Sequence, residues 1–135
     1  MSIPKTGDLI ARVEMCKISR EQLRLYSDAS GDPNRIHLED AAAKKSGLPG
    51  VIAHGMLIAS LVGLRAEDWV KESCPKDWKI SNIVTRFKAM TFPDEIISVA
   101  GVVRKTDESS VFFELKALNP KDEVKVLCRV TATGG

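Results

Sequence analysis

Only two histidines occur in 135 residues, His37 and His54, and they leave little material for a metal centre. The cysteines add none. Cys16, Cys74 and Cys128 are odd in number, lie far apart and form no C-x-x-C pair, so no zinc knuckle or dithiol redox motif is encoded. Thiols spread in this way predict a reducing, cytoplasmic setting. Aromatic residues make up 5% of the chain, and scattered Lys and Arg nearly balance the acids at a net charge of +2. That argues against the basic, aromatic-studded face of a nucleic-acid binder and leaves phosphate-bearing small molecules as partners. The most apolar stretch, residues 51–64, is too short to span a bilayer and contains His54. The N-terminus has no apolar segment of signal-peptide type. There is no internal repeat and no low-complexity segment.

What is present is ordinary in amount and informative in pattern. Hydrophobic residues at 44% and charged residues at 28% suit one globular domain over 1–135. Residues 11–15 alternate as a strand with one polar face. In "ISREQL", Ser19 and Gln22 have the spacing of a capping box, and Ile18 and Leu23 that of a hydrophobic staple. A helix is predicted from Arg20 to about Ala29, stopping at Gly31. Residues 31–35, "GDPNR", are turn formers around a proline and exclude regular structure. "LEDAAAKKSG" reads as a short helix ending near Gly47. The longest helix is predicted over residues 54–71. It is apolar almost all round at first and polar from Arg65 onward, so its C-terminal end is expected to emerge into solvent. Strands follow at 79–88 and 96–105. Two more carry alternating residues around Val111 to Leu118 and Val124 to Ala132, joined by the turn "NPKD", and are expected to form an antiparallel hairpin. Helices grouped before strands indicate an α+β domain, with an antiparallel sheet of about five strands curled around one long helix.

The candidate chemistry lies in "GDPNRIH". Asp32 and His37 stand at the two ends of a turn that can fold back and aim both at one spot. A carboxylate and an imidazole converging on a water form a general acid/base pair, because imidazole gains and loses protons near neutrality. The residues also admit a structural reading. Asp32 can close an Asx turn, and His37 can be half-buried and hydrogen-bonded to backbone. "AHGM" supplies a second element. Gly55 at a helix start offers an unsatisfied first-turn amide, open to close approach, beside the positive end of the helix dipole. Such an amide suits an oxyanion or a polarised carbonyl. It can equally be a glycine that only permits tight packing. His54 is read as structural, with its ring on backbone carbonyls.

Together these segments resemble the MaoC-like family of hot-dog-fold hydratases and dehydratases. The resemblance rests on "YSDASGDPNRIHLEDAAAKKSG", "GVIAHGMLIASLVG", "VTRFKAMTFPDE" and the closing pair of strands, and it covers nearly the whole chain. Two departures stand out. Arg35 occupies the place of the usual proline, with Pro33 at a variable position, which puts a cation beside the site. Gly63 stands where some hydratases carry serine. The resemblance implies a hydro-lyase that adds water to a trans-2-enoyl thioester, or removes it from the (R)-3-hydroxyacyl thioester. It implies that Asp32 and His37 are catalytic, that the Gly55 amide binds the thioester oxygen, and that Asn34 and Gly31 support the loop. Asn34 braces that loop or orients Asp32, and Tyr26 is packing. No metal and no cofactor is implied. The expected partners are an acyl-CoA or acyl-carrier-protein thioester and a second copy of the chain, with Lys44, Lys45, Arg86 or Lys88 as candidate phosphate contacts. No nucleic acid or membrane partner is implied. Two alternatives stay open: the catalytic subunit of a heterodimeric hydroxyacyl-ACP dehydratase, and a hot-dog acyl-CoA thioesterase.

Overall fold

The computed structural model describes residues 2–134. Strand β1 (Leu9–Lys17) leads to helix α1 (Arg20–Ser30), a single 3-10 turn (Arg35–His37), the short helix α2 (Asp40–Lys45) and the long helix α3 (Gly55–Ser73). Strands β2 (Lys79–Phe87), β3 (Ile96–Thr106), β4 (Ser110–Leu118) and β5 (Val124–Thr133) follow. All pairings are antiparallel, in the order β1-β3-β4-β5-β2, and α3 packs against β2, β3, β4 and β5. This is the hot-dog fold.

The expected start of α1 is present. The Ser19 hydroxyl accepts a hydrogen bond from the Gln22 amide at 3.1 Å. Ile18 and Leu23 on either side of the cap are both fully buried. The helix ends because Gly31 takes a left-handed φ of 73°, which costs a residue without Cβ little. The hairpin β4–β5 also follows the alternation. Val111, Phe113, Leu115 and Ala117 pair with Ala132, Val130, Cys128 and Val126, and all eight are buried under α3.

Three expectations need correction. In β1 the register shifts between Ile10 and Val13 and again between Glu14 and Cys16. The bulges break the expected alternation of residues 11–15: Ala11 to Glu14 are all exposed, Met15 is half-buried, and the buried residue of the strand is Ile10. Helix α3 does not emerge after Arg65: Ala66, Trp69 and Val70 continue its buried face, and the Trp69 ring meets Phe113 at 4.5 Å. Arg65 itself is buried, with Nη2 donating to the Ala11 carbonyl at 3.3 Å. Finally, Lys125 belongs to the polar set of β5 by alternation, yet it is 1% exposed. The turn before β3 folds back over it.

Candidate active site

The loop after α1 is built from side-chain caps rather than from a ladder. Asp32 Oδ1 accepts the Asn34 amide at 3.2 Å, and Asn34 Oδ1 accepts the Ile36 amide at 3.2 Å, which starts the 3-10 turn. Ser27 Oγ donates to the Asp32 carbonyl, and Ser30 Oγ accepts the Asp32 amide at 3.3 Å. The end of this loop is stitched to the segment that enters α3. The Ile52 amide donates to the Ile36 carbonyl at 3.2 Å, and His37 Nδ1 lies 2.7 Å from the Ile52 carbonyl oxygen. Asp40 anchors the same segment by accepting the Val51 amide at 3.0 Å and an Arg20 guanidinium N–H at 3.2 Å. These bonds, the amide first, hold the Asp40 carboxyl below the usual range.

The two readings of Asp32 and His37 are therefore compatible. Asp32 does close an Asx turn, and His37 is buried and bonded to backbone. Each bond uses only part of the side chain. A carbonyl only accepts, so the neutral His37 ring carries its proton on Nδ1 and presents Nε2 as a lone pair. Asp32 remains exposed. A polar atom of Asp32, one of His37 and one of His54 all lie within 4.8 Å of one another.

His54 departs from expectation. It is 2% exposed, and neither ring nitrogen makes a well-formed hydrogen bond among the described residues, although the Asp32 backbone lies near enough to favour the charged ring. Its face is stacked on His37, with centroids 3.8 Å apart and planes 25° apart, and it meets Tyr26 at 4.8 Å edge-on. Burial pushes the His54 ring below its ordinary pKa and the neighbouring His37 adds to this, against the opposing pull of Asp32.

Gly55 is the first residue of α3, directly after His54. Its amide has no acceptor among the described residues, as expected of a first helical turn. Two clefts meet here. One of about 340 Å³ is mostly apolar, lined by Ile52, Ala53, Ile58, Met90 and Val126. The other, of about 500 Å³, is lined by Tyr26, Asp32, His54 and Met56. His37, Gly55 and Phe87 line both. Phe87 was not singled out from the sequence: its position at the end of a strand gives no hint that its ring reaches the start of α3.

The far wall of the apolar cleft has its own support. Lys125 Nζ donates to the Met90 carbonyl at 2.7 Å, to Glu95 at 3.1 Å and to Glu123 at 2.5 Å. The Thr91 carbonyl then accepts the Ala53 amide at 2.8 Å, tying this wall to the entry of α3. Burial raises the Glu95 carboxyl, but bonds from Asn119, the Phe92 amide and Lys125 outweigh it and leave the group below its usual range. Of the cations considered for phosphate contact, Lys88 lines the apolar cleft, while Lys44, Lys45 and Arg86 are exposed away from both clefts. Arg35 is not a cation in the site: its guanidinium is paired with Glu39 on the exposed side of the loop.

A sheet packed on one long helix, with a carboxylate and an imidazole gathered at the start of that helix, defines a hot-dog domain with an acid–imidazole cleft. The family model described as MaoC like domain matches residues 4–125, and the chain belongs to that family. Among curated proteins, 3-hydroxyacyl-thioester dehydratase X of Mycobacterium tuberculosis (strain ATCC 25618 / H37Rv) is 46% identical over 46 residues, which is 34% of this chain and 16% of that protein. The mitochondrial 3-hydroxyacyl-(acyl-carrier-protein) dehydratase of Arabidopsis thaliana is 32% identical over 57 residues, 42% of this chain and 33% of that protein. The chain thus matches a third or less of the length of either relative. Among solved structures, the (R)-hydratase from A. caviae involved in PHA biosynthesis superimposes with a TM-score of 0.80 over 98% of each chain, at 19% identity. That likeness is one of fold.

Proposed function

We propose that the chain is a hydro-lyase that interconverts a trans-2-enoyl thioester and its (R)-3-hydroxyacyl thioester. One observation carries this reading: Asp32, His37 and the free Gly55 amide border the same cleft, and an apolar limb opens from their junction. A water held between Asp32 and His37 adds its oxygen to C3 while one of its protons passes to His37 Nε2. The electron pair of the C2–C3 bond moves toward the thioester oxygen, where the Gly55 amide and the positive end of α3 meet the growing charge. A proton returned to C2 through the Asp32–His37 couple restores both groups. Dehydration is the reverse. Asn34 and Gly31 act by holding the loop in shape.

The same reading includes a second copy of the chain. Strand β2 is an edge strand with Ile83, Val84 and Phe87 exposed, and Met56 and Leu64 are exposed on α3. Exposed apolar side chains beside an open strand edge favour pairing with another subunit. The setting proposed is cytoplasmic, in keeping with three free cysteines, of which burial raises the Cys74 and Cys128 thiols.

The test follows loss of the conjugated enoyl absorbance with crotonyl-CoA and with longer enoyl-CoA and enoyl-carrier-protein thioesters. Hydration to the (R)-alcohol is expected, and no hydration of any of them sinks the reading. Release of free thiol from saturated acyl-CoA would mark a thioesterase instead. A native mass measurement is expected to show a homodimer. An inactive lone chain that gains activity with a related subunit would mark the heterodimeric form.

A further inference from the structure

The two clefts at the start of α3 share three residues, and one of these, Phe87, is not part of the proposed chemistry. Its placement is unusual in one respect. A Cβ built on Gly55 would lie 2.9 Å from Phe87 Cε1, 3.0 Å from Cδ1 and 3.6 Å from Cζ. The edge of the ring therefore rests on the first residue of α3, where the apolar limb and the Asp32 limb share His37, Gly55 and Phe87. The backbone beneath the ring is fixed: Phe87 pairs with Val126 in the β2–β5 ladder, and the next amide, of Lys88, donates to the Lys125 carbonyl at 2.9 Å. The outer face of the ring is 55% exposed in the single chain, on the edge strand where the second copy is proposed to pair, while its inner edge lies against Gly55. A ring on an anchored backbone, lining both cavities at their junction, sets how far a tail can pass from one into the other, whether or not a second copy covers its outer face.

The geometry points to Phe87 as a specificity-determining gate. Its ring divides the trough above Gly55, so that an acyl tail enters the limb lined by Ile52, Ala53, Ile58, Met90 and Val126 only as far as the ring yields. This rests on the reading of the cleft as an acyl-thioester site. In the position seen, the ring favours short acyl groups, whose carbons end near His37 and Gly55. Longer tails must displace it, and lose affinity by doing so.

Phe87→Ala, Phe87→Leu and Phe87→Trp test this with two readouts. The first is kcat/KM for 2-octenoyl-CoA relative to crotonyl-CoA. The second is calorimetric affinity for octanoyl-CoA relative to butyryl-CoA, which needs no turnover. In the alanine variant both long-to-short ratios are expected to rise about tenfold, the scale of discrimination that a few methylenes give in an apolar pocket. Leucine should give a smaller rise, and tryptophan a fall. A ring that serves only as structure would change both chain lengths alike and leave the ratios at the wild-type value, which overturns the gate. If binding ratios shift as expected but no variant hydrates anything, the gate stands and the hydro-lyase reading falls. If hydration is found and neither ratio moves, the gate falls alone. No binding of either thioester by any of these proteins overturns both.

Discussion

The two walls of the apolar cleft are made on opposite plans. On the far wall a buried cation has all it needs: Lys125 donates to Met90, Glu95 and Glu123. On the near wall His37 makes one hydrogen bond, through Nδ1 with the Ile52 carbonyl, and His54, stacked on it and lining the neighbouring Asp32 cleft, makes no well-formed one among the described residues. Buried polar groups left short of partners weaken a fold, whereas satisfied ones hold it in one shape. The contrast gives the Lys125 side a fully bonded frame and leaves the histidine side with unspent hydrogen-bonding capacity.

The largest expected effect breaks the comparison at its reactive side. Asp32→Asn and His37→Gln should each lower kcat for enoyl-CoA hydration by about 10³-fold while leaving a single cooperative unfolding transition. Activity within tenfold of wild type in either variant would remove that residue from the mechanism. The far wall should answer in the opposite way. Lys125→Met removes the side-chain donor of the Met90 carbonyl and the cation beside Glu95, which keeps only its bonds from Asn119 and the Phe92 amide, at a cost of about 2 kcal/mol in unfolding free energy. Denaturant midpoints measure this, and no loss would mean that the bracket is not structural.

A pH series sharpens the same contrast. The unfolded chain takes up a proton on the His54 ring near its ordinary value of about 6.5, while the folded chain does so only at lower pH. Below that value the unfolded state binds more protons, so stability contributed by neutral His54 is lost as pH falls from about 6.5 through the depressed folded value. Glu95 and Asp40, both depressed, lose their contributions only further down, as pH falls through their folded values below the usual carboxylate range. Midpoints between pH 7 and 5 should decline in wild type and stay flatter in His54→Phe. The smallest effect is that variant's own stability near pH 7.5. Its ring keeps the stacking face and removes two unpartnered nitrogens, so the change should stay within about 1.5 kcal/mol. A loss as large as that of Lys125→Met would show that the His54 nitrogens do have partners in solution.

Much of this was legible in the sequence because it depends on near neighbours. The Ser19 hydroxyl caps the Gln22 amide, though the Gln22 side chain turns to Cys16 instead of completing the box, Gly31 ends the helix, and Val111, Phe113, Leu115 and Ala117 face the core as their alternation requires. Asp32, His37 and Gly55 border one cleft, as the combined motifs suggest. The misreadings fall where distant segments intervene. The β1 bulges answer to its partner β3, Arg65 is buried because Ala11 lies beside it, and Lys125 is buried because residues 90–95 fold over it.

Periodicity, caps and turn chemistry, acting over a few residues, determined by themselves which segments are helix and strand and, in elements free of bulges and of overlying distant segments, which face is apolar. The stacking of His54 on His37, the ring of Phe87 over Gly55 and the burial of Lys125 were decided only by the tertiary structure. They join residues 17, 32 and 35 positions apart in the chain. Contacts at that separation follow from how sheet and helix pack, which no local pattern encodes.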